Sequence, residues 1–360
     1  MDILKRIEKK VDSGERISPE EGLHLYTNGE LGFVGMLANK VRNRLNSNYV
    51  YFNRNFHIEP TNICIHNCEF CSYRRRINQD GAWEMGTGEI LAKIKSHANS
   101  NATEVHIVGG VHPARDLEYY EELLYAIKKT YPDLHIKAFT AVELDFMIRK
   151  SKLSYSEGLK RLKKAGLGSI PGGGAEIFDE ELRSRICPDK TDSKTWLEIH
   201  AEAHKIGLKS NATILYGHLE NFNQRIDHML RLRKLQDQTG GFQVYIPLKY
   251  RSENNRLSYI GEVSTIEDLR NYAISRIFLD NFPHIKAYWP MIGKETASLS
   301  LSFGVDDLDG TIEDSTRIYS MAGAEDQNPN LSTDNLVDLI RKAGRTPVER
   351  DTLYKILKTY

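Results

Sequence analysis

The chain has 360 residues, with 49 lysine and arginine residues against 49 aspartate and glutamate residues, so its formal net charge is zero. Hydrophobic residues make up 40% and charged residues 27%, which is typical of an ordinary globular protein and excludes a disordered or fibrous one. The balanced charge argues against nucleic acid as a partner, and no apolar run approaches the ~20 residues of a membrane span. The N-terminal stretch lacks the apolar core of a signal peptide, so we expect a cytoplasmic protein with no membrane partner.

The first stretch of the chain, residues 1–50, is predicted to be helical. Apolar and charged residues recur at helical spacing, and Ser18-Pro19-Glu20-Glu21 has the N-cap, the first-turn proline and the acidic residues of a helix start. We expect a helical extension of the main domain rather than a separate domain.

From about residue 55, short apolar runs alternate with longer segments such as 116–131, 154–165 and 195–206. The longer segments place apolar residues three and four positions apart, which predicts helices. Strands that alternate with helices predict a parallel sheet, and eight such strands predict an α/β fold, a closed (β/α)8 TIM-type barrel over residues 51–305. The eight predicted strands are Phe56–Glu59, Glu104–Gly109, His135–Thr140, Gly168–Pro171, Ser210–Leu215, Phe242–Pro247, His284–Trp289 and Leu299–Val305.

Residues 306–360 are predicted to form a C-terminal extension packed on the barrel. A segment near Asp334–Ala343 has a helical pattern, and the basic tail is predicted to form a further helix. In barrels of this kind the loops after the carboxyl ends of the strands carry the chemistry, so the segment after the first strand is the first place to look for a site.

Three of the four cysteines lie close together after the first predicted strand, as Cys64, Cys68 and Cys71 in a CxxxCxxC pattern. So few thiols cannot form a disulfide framework, and three thiolates in one loop favour zinc or an iron–sulfur cluster. With His57 or His66 as a fourth ligand, the loop would hold zinc. Three cysteines alone would hold a cubane cluster with one iron open to an added ligand, and the spacing favours this second interpretation.

A CxxxCxxC loop after the first strand of an α/β barrel resembles the radical S-adenosylmethionine superfamily. The resemblance implies a [4Fe-4S] cluster held by Cys64, Cys68 and Cys71, with S-adenosylmethionine as the ligand of the fourth iron. It also implies that Phe70 lies beside the adenine, with Tyr73 on the same loop.

Other segments extend this resemblance. Gly109 and Gly110, after the second strand, match the family's glycine pair, which hydrogen-bonds the methionyl amino group of the cofactor. Leu215, in a segment similar to the family's GxIxGxxE, would support the adenine, and Glu143 after the third strand would accept hydrogen bonds from the ribose. The alternatives are an ordinary tight turn at the glycines and a solvated or salt-bridged carboxylate at Glu143.

A narrower resemblance extends over segments 104–113, 135–143, 169–178, 185–190 and 210–220. These look like the aminodeoxyfutalosine synthases of the futalosine route to menaquinone, whose siblings are the cyclic dehypoxanthine futalosine synthases and the deazaflavin-precursor synthases. The resemblance implies that S-adenosylmethionine is a co-substrate whose 5′-deoxyadenosyl radical adds to the enol-ether double bond of 3-[(1-carboxyvinyl)oxy]benzoate. It implies as well an electron donor such as flavodoxin or ferredoxin.

The implied substrate carries two carboxylates, so cationic or donor groups should face the barrel mouth. Four residues that follow predicted strands are candidates for this catalytic role, and plain surface exposure is the alternative for each of them: His112, His218, Lys249 and Arg251. Three further functions stay open: a sibling enzyme that abstracts hydrogen, an iron–sulfur electron carrier and a zinc-stabilised binding barrel.

Overall fold

The computed structural model describes residues 2–97, 100–311, 313–314, 317–324 and 329–360. The strands in these residues are β1 Tyr49–Phe52, β2 Asn55–Ile58, β3 Glu104–Ile107, β4 His135–Ala138, β5 Ser169–Ile170, β6 Lys209–Tyr216, β7 Phe242–Lys249, β8 His284–Ala287, β9 Asp307–Leu308, β10 Glu313–Asp314, β11 Thr346–Arg350 and β12 Ile356–Thr359. They form one sheet in the order β10-β2-β3-β4-β5-β6-β7-β8-β9-β1-β11-β12, and all neighbours run parallel except β11 and β12.

Helices follow most of the strands and cover the outside of the sheet. In the helix after β3, for example, Leu123, Leu124 and Ile127 are fully buried, as the pattern three and four residues apart requires. The helices are α1 Ile3–Ser13, α2 Pro19–Asn28, α3 Leu31–Asn46, α4 Thr87–Ser96, α5 Leu117–Thr130, α6 Ala141–Lys150, α7 Tyr155–Ala165, α8 Glu180–Ile186, α9 Ser193–Lys205, α10 Phe222–Thr239, α11 Thr265–Phe278, α12 Trp289–Ile292, α13 Lys294–Ser300, α14 Ile318–Met321 and α15 Thr333–Lys342.

The predicted strands from Phe56–Glu59 to His284–Trp289 overlap β2 to β8 in turn, so this part of the prediction is confirmed. The predicted strand Leu299–Val305 is wrong, because α13 ends at Ser300 and turns follow it. Alternating leucine and serine imitate the period of a strand there, but the Ser300 hydroxyl donates to the carbonyl of Ala297 at 2.6 Å, as in a helical turn. The strand that follows β8 is β9.

A short segment joins the two edges of the parallel sheet. β9 pairs with β8, and β10 pairs with β2. Between them, the N–H of Thr311 donates to the carbonyl of Asn53 at 3.2 Å, and a Cβ at Gly310 would lie 2.0 Å from the same carbonyl oxygen. β9 and β10 therefore border the two edges of the curled parallel sheet formed by β2 to β8, which confirms the predicted α/β fold class. Among the described residues β9 and β10 are not hydrogen-bonded to each other, so the sheet is a curled half-barrel rather than the closed barrel of eight strands that was predicted.

The two ends of the chain meet on this sheet. The predicted helix start at Ser18 is confirmed as a capping box: the Ser18 hydroxyl accepts from the N–H of Glu21 at 3.2 Å, and the Glu21 carboxylate accepts from the N–H of Ser18 at 2.8 Å. After the N-terminal helices, β1 lies between β9 and β11.

The predicted tail helix is wrong, because the tail forms β11 and β12. Pro347 lacks an amide hydrogen, which disfavours a helix there, and β1 offers an open edge for pairing. The division of the chain at residues 50 and 305 stays a prediction. Within the described residues, no helix combines the length and apolar character needed to cross a membrane.

Candidate active site

The three clustered cysteines lie on a long loop, residues 59–75, that leaves the carboxyl end of β2. Backbone hydrogen bonds attach this cysteine loop to its surroundings: Cys64 N–H to Arg75 carbonyl at 3.0 Å, Ile65 N–H to Val111 carbonyl at 3.0 Å and Glu69 N–H to Ile186 carbonyl at 2.7 Å. Cys64, Cys68 and Cys71 are free, partly exposed thiols, and all three line one cavity of about 300 Å³ at the carboxyl ends of the strands. The structure therefore brings the predicted ligands to one wall of a single chamber.

Arginines next to the cysteines stabilise the same loop. The Arg76 guanidinium donates to the carbonyl of Ile65 at 2.7 Å, and the Arg75 guanidinium donates to the carbonyl of Arg74 at 2.9 Å. These contacts satisfy loop carbonyls that no strand or helix would pair. No motif in the sequence indicates a role for this run of three arginines.

Before a metal centre binds, Cys64 and Cys68 are protonated thiols. Burial raises the pKa of Cys64 and that of Cys68, so the metal-free thiols hold their protons, and a metal has to replace those protons on binding. Among the described residues, no three His, Cys, Asp or Glu side chains are gathered closely enough to hold a single metal ion. In a cubane cluster each thiolate binds a different iron atom, so the three sulfur atoms need not converge on one point. Three cysteines spread over one loop are compatible with this arrangement.

Lys190, which the sequence analysis did not name, carries a buried charge beside this loop. It forms an ion pair with Glu176, and its ammonium lies 5.4 Å from the ring centroid of Phe70. Burial opposes the charge, but the attraction of Glu176 keeps the pKa of Lys190 above its usual value. A permanent positive charge at this position favours thiolate over thiol at the cavity wall.

The glycine pair after β3 packs directly against the cysteine loop. A Cβ at Gly110 would lie 2.3 Å from the carbonyl oxygen of Ile63, and one at Gly109 would lie 2.8 Å from that of Thr61. The N–H of Gly110 donates to the carbonyl of Thr61 at 2.7 Å. Both glycines line the cavity, and the close approach that excludes a side chain is to the protein's own backbone.

Glu143 lies behind this glycine pair and does not line the cavity. Its carboxylate accepts hydrogen bonds from the N–H and hydroxyl of Thr140 at 2.7 and 2.8 Å, as the capping box of α6, and from the N–H of Gly109 at 3.2 Å. Burial raises the pKa of Glu143 to about 7. The predicted contact with a ribose gains no support from this position, because the carboxylate already orients Gly109.

The side chains predicted to bind the cofactor besides Glu143 all line the cavity: Phe70, Tyr73 and Leu215. The Tyr73 hydroxyl donates to the carbonyl of Thr61 at 3.1 Å, and its ring meets Trp83 edge to face at 5.2 Å between centroids. The aromatic ring is thereby fixed in the cavity wall.

The four predicted carboxylate-binding residues divide into two pairs. Lys249 and Arg251 line the cavity, although Lys249 is paired with Asp268 at 2.9 Å and Arg251 with Glu262 at 3.2 Å. His112 and His218 do not line it, which corrects their expected placement.

The two histidines lie outside the cavity for different local reasons. The ring of His218 is enclosed, with Nε2 3.0 Å from the carbonyl of Leu215 and Nδ1 3.4 Å from the Glu220 carboxylate. His112 turns toward Glu84, with 3.4 Å between its Nε2 and a carboxylate oxygen. Burial lowers the pKa of both rings.

The C-terminal part of the chain contributes to the cavity through residues 317–324. Ile318 and Tyr319 line the cavity. Two contacts hold this segment against the barrel: the N–H of Arg317 donates to the Glu59 carboxylate at 3.0 Å, and the Arg251 guanidinium donates to the carbonyl of Gly323 at 2.5 Å. Burial raises the pKa of Glu59 to about 7.

Deeper in the barrel, the cavity wall is lined by charged residues that the sequence analysis missed. Glu104 on β3 pairs with Lys137 on β4 at 2.8 Å, and Lys286 on β8 pairs with Asp309 at 2.9 Å. We call these four residues the interior ion pairs. Despite burial, the neighbouring lysines keep the pKa of both carboxylates below its usual value. Polar residues that alternate with apolar ones along short strands are the signal that could have identified them.

Comparison with known proteins places the chain in a family. Residues 58–232 match the Radical SAM superfamily, and residues 239–360 match the CofH/MqnC C-terminal region. The aminodeoxyfutalosine synthase of Thermus thermophilus is 43% identical over 98% of this chain and 96% of its own length. The chain belongs to the radical SAM superfamily.

Two further relatives show how wide the likeness is. The cyclic dehypoxanthine futalosine synthase of Streptomyces coelicolor is 39% identical over 98% of this radical SAM chain and 89% of its own length. The X-ray structure of the FeFe-hydrogenase maturase HydG from Carboxydothermus hydrogenoformans superposes with a TM-score of 0.76 at 19% identity, over 98% of this chain and 80% of that one. This last likeness concerns the fold alone.

Family membership decides between the interpretations of the cysteine loop. Radical SAM enzymes use a [4Fe-4S] cluster and S-adenosylmethionine, so this chain is an enzyme with those cofactors and the zinc interpretation is wrong. The residues present fit a cluster that is bound through three thiolates. The three thiols are free, Lys190 supplies a permanent positive charge beside them, and the glycine pair packs against their loop. When bound, the cluster supplies the electron that cleaves S-adenosylmethionine.

Proposed function

We propose that this enzyme is an aminodeoxyfutalosine synthase of menaquinone biosynthesis. It would join the 5′-deoxyadenosyl group of S-adenosylmethionine to 3-[(1-carboxyvinyl)oxy]benzoate and release 6-amino-6-deoxyfutalosine and methionine, while the enol-ether carboxylate leaves as carbon dioxide or bicarbonate. The observation that carries the proposal is one cavity lined by a three-thiol loop, by the cationic side chains of Lys249 and Arg251 and, deeper in the barrel, by buried polar groups. Such a chamber suits an acceptor that is both aromatic and doubly anionic. The higher identity to the Thermus thermophilus synthase than to the cyclic dehypoxanthine enzyme agrees with this choice.

In this proposal, the cysteine loop holds the cluster through Cys64, Cys68 and Cys71. Phe70 and Leu215 flank the adenosyl group, and the remaining cofactor contacts come from Tyr73 and the backbone of the glycine pair Gly109 and Gly110. Support comes from the lining of the cavity, which contains all of these residues.

Two of the four predicted catalytic residues keep their role in the proposal. Lys249 and Arg251 offer positive charge at the mouth of the cavity, where a substrate carboxylate enters. His112, His218 and Glu143 become positioning residues, since each lies outside the cavity lining and is engaged with other protein groups.

The cavity also has to protect a reactive carbon radical. A primary alkyl radical abstracts hydrogen from almost any nearby C–H group, so water and mobile side chains must be kept away and the acceptor carbon held at about 3–3.5 Å. The segment 317–324 covers part of the cavity, and Glu59 and Arg251 hold it in place.

A second candidate is a sibling reaction in which the radical abstracts hydrogen instead of adding to a double bond. The match of residues 239–360 to the CofH/MqnC C-terminal region favours it. The two reactions differ in product, because abstraction releases 5′-deoxyadenosine whereas addition consumes the adenosyl group.

The deciding experiment is anaerobic turnover of the reconstituted enzyme with dithionite, S-adenosylmethionine and 3-[(1-carboxyvinyl)oxy]benzoate, followed by mass spectrometry. The proposal expects one adenosylated product for each methionine. Accumulation of 5′-deoxyadenosine without an adduct would overturn it in favour of the sibling. An electron carrier would contain the cluster but show no spectral change with S-adenosylmethionine.

The remaining partners belong to the same proposal. A low-potential one-electron donor of the flavodoxin or ferredoxin class would reduce the cluster, and the enzyme would act in the cytoplasm without nucleic acid or membrane partners. Replacing dithionite by purified flavodoxin and its reductase tests the donor, and equal product formation is the expected result.

A further inference from the structure

Two histidines face each other in the wall of the cavity below the cysteine loop. His57 on β2 and His106 on β3 are register partners, their ring centroids lie 4.6 Å apart at an interplanar angle of 85°, and 3.4 Å separates Nε2 of His57 from Nδ1 of His106. Both rings line the cavity. The Nε2 atom of His106 is enclosed, and no hydrogen-bond partner for it exists among the residues that the structure describes. A buried ring nitrogen without a partner is costly unless a ligand completes it.

The charged groups around the two rings already neutralise one another. Glu104 pairs with Lys137, and Lys286 pairs with Asp309 and lies 3.4 Å from Asp307, which in turn accepts from Arg350 at 2.7 Å. Three carboxylates thus face three cations. An anion that enters this part of the cavity therefore needs a further donor or positive charge, and the histidine pair is the group placed to supply it.

The depth of the pair fits one end of an extended aromatic substrate. His106 precedes Gly109 by three residues along the same chain direction, which puts it about 10 Å further into the barrel. Asn55 also lines this region, and its side-chain amide lies 3.4 Å from His57 Nε2. A substrate whose reacting carbon lies near the cysteine loop would point its distal substituent at the histidine pair.

We propose that His106, supported by His57, is the binding site for the ring carboxylate of an aromatic enol-ether substrate, with the imidazole of His106 as the donor to that carboxylate. This inference rests on the proposed function and adds to it the residue that selects a benzoate over an uncharged ring. Lys249 and Arg251, at the mouth, then serve the other carboxylate.

Binding at this site is coupled to a proton. In the empty cavity, burial lowers the pKa of His57 and of His106, so both rings are neutral. A bound carboxylate adds the negative charge that the interior ion pairs do not supply, which raises the pKa of the adjacent ring. The complex therefore takes up a proton, and affinity decreases as the pH rises through the pKa of the bound state.

The first test compares His106→Gln with His24→Gln, which makes the same chemical change at a histidine on α2 outside the cavity. The two substrates are 3-[(1-carboxyvinyl)oxy]benzoate and its analogue without the ring carboxylate. In the wild-type enzyme, removal of that carboxylate should raise KM about tenfold or more. In His106→Gln, KM for the full substrate should rise by a similar factor while KM for the analogue changes little. Equal effects on both substrates would overturn the inference.

The second test does not depend on turnover. Isothermal titration of the unreduced, S-adenosylmethionine-loaded enzyme with the full substrate, in two buffers of different ionisation heat, measures proton uptake. We expect about one proton per substrate in wild type and in His24→Gln, and close to none in His106→Gln. Uptake that is unchanged in His106→Gln, or no binding to wild type, would overturn the inference. Binding with proton uptake but without an adduct on reduction would remove the proposed function alone and leave the carboxylate site established.

Discussion

The two ends of the cavity are built in different ways. At the upper end, the cysteine loop is held by backbone hydrogen bonds and by glycines that admit no side chain, and its thiols are left free. At the lower end, side chains from separate strands form the interior ion pairs, and nearly every charge has a partner. The upper end is therefore suited to hold a group that the protein does not make, whereas the lower end is organised before any ligand arrives.

The largest expected effect lies at the upper end and follows removal of one thiol. Cys68→Ala should abolish the cluster and all turnover while the barrel stays folded, because Cys68 is only partly buried and packs against the edge of the hydrophobic core. Iron content, visible absorption and far-UV circular dichroism check this. Cys187→Ala is the matched control, since Cys187 is buried away from the cavity lining and should leave the cluster intact. Full iron content in Cys68→Ala would contradict the ligand assignment.

At the lower end, the expected effect is on stability. Lys137→Met leaves the Glu104 carboxylate buried without its cation, which should lower the free energy of unfolding by about 3–5 kcal/mol. Urea unfolding measures the change, and Lys160→Met, at an exposed position on α7, should change it little. If Lys137→Met is as stable as wild type, the ion pairs do not organise the lower end of the cavity. The proposed difference between the two ends would then be wrong.

A smaller effect is expected where the glycine pair meets the cysteine loop. Gly110→Ala puts a methyl group 2.3 Å from the carbonyl oxygen of Ile63, so the loop has to shift, at a cost of about 1–3 kcal/mol and with reduced iron content. Gly88→Ala, on α4 with no atom near the added methyl group, should stabilise the protein by up to about 1 kcal/mol. Thermal unfolding of both variants, together with iron analysis, separates loop displacement from a general glycine effect.

The smallest effect concerns pH. Burial raises the pKa of Glu143 from its ordinary 4.5 to about 7 in the folded protein, so its contribution to stability is complete below pH 4.5 and is lost as the pH rises toward 7. Glu143→Gln should reduce the slope of unfolding free energy against pH in that window by up to about 1.4 kcal/mol per unit.

A matched control for this pH effect is Glu157→Gln. Glu157 occupies the same capping-box position on α7 but is exposed, and its hydrogen bonds with Ser154 lower its pKa. Its substitution should leave the slope between pH 4.5 and 7 unchanged. Equal slopes in Glu143→Gln and wild type would mean that burial does not hold Glu143 protonated in the folded protein.

The sequence predicted the upper end better than the lower end because the upper end is local. Cys64 to Cys71 lie on one loop, and a motif within one loop can be recognised without knowledge of the fold. The partners His57 and His106, or Glu104 and Lys137, meet only through the register of neighbouring strands, which a single sequence does not specify.

Short sequence motifs were also misinterpreted where the same residues fit both a structural and a functional role. Thr140-Ala141-Val142-Glu143 is a capping box, a pattern visible in the sequence, yet the family resemblance assigned its glutamate to the ribose. His218 was assigned to the mouth because it follows a strand, but its ring turns back onto the carbonyl of Leu215. The direction of a side chain after a strand depends on the turn, and this is settled only by packing.

The position of β1 has a consequence for biosynthesis. Tyr49–Phe52 emerges early from the ribosome, but its partners β9 and β11 are made almost the whole barrel later. Until then β1 has an open edge. The segment that carries β9 and β10 is also not yet available to pair with β8 and β2. We expect the growing chain to need protection from association through that edge, and insertion of iron and sulfide to follow release of the finished polypeptide rather than accompany translation.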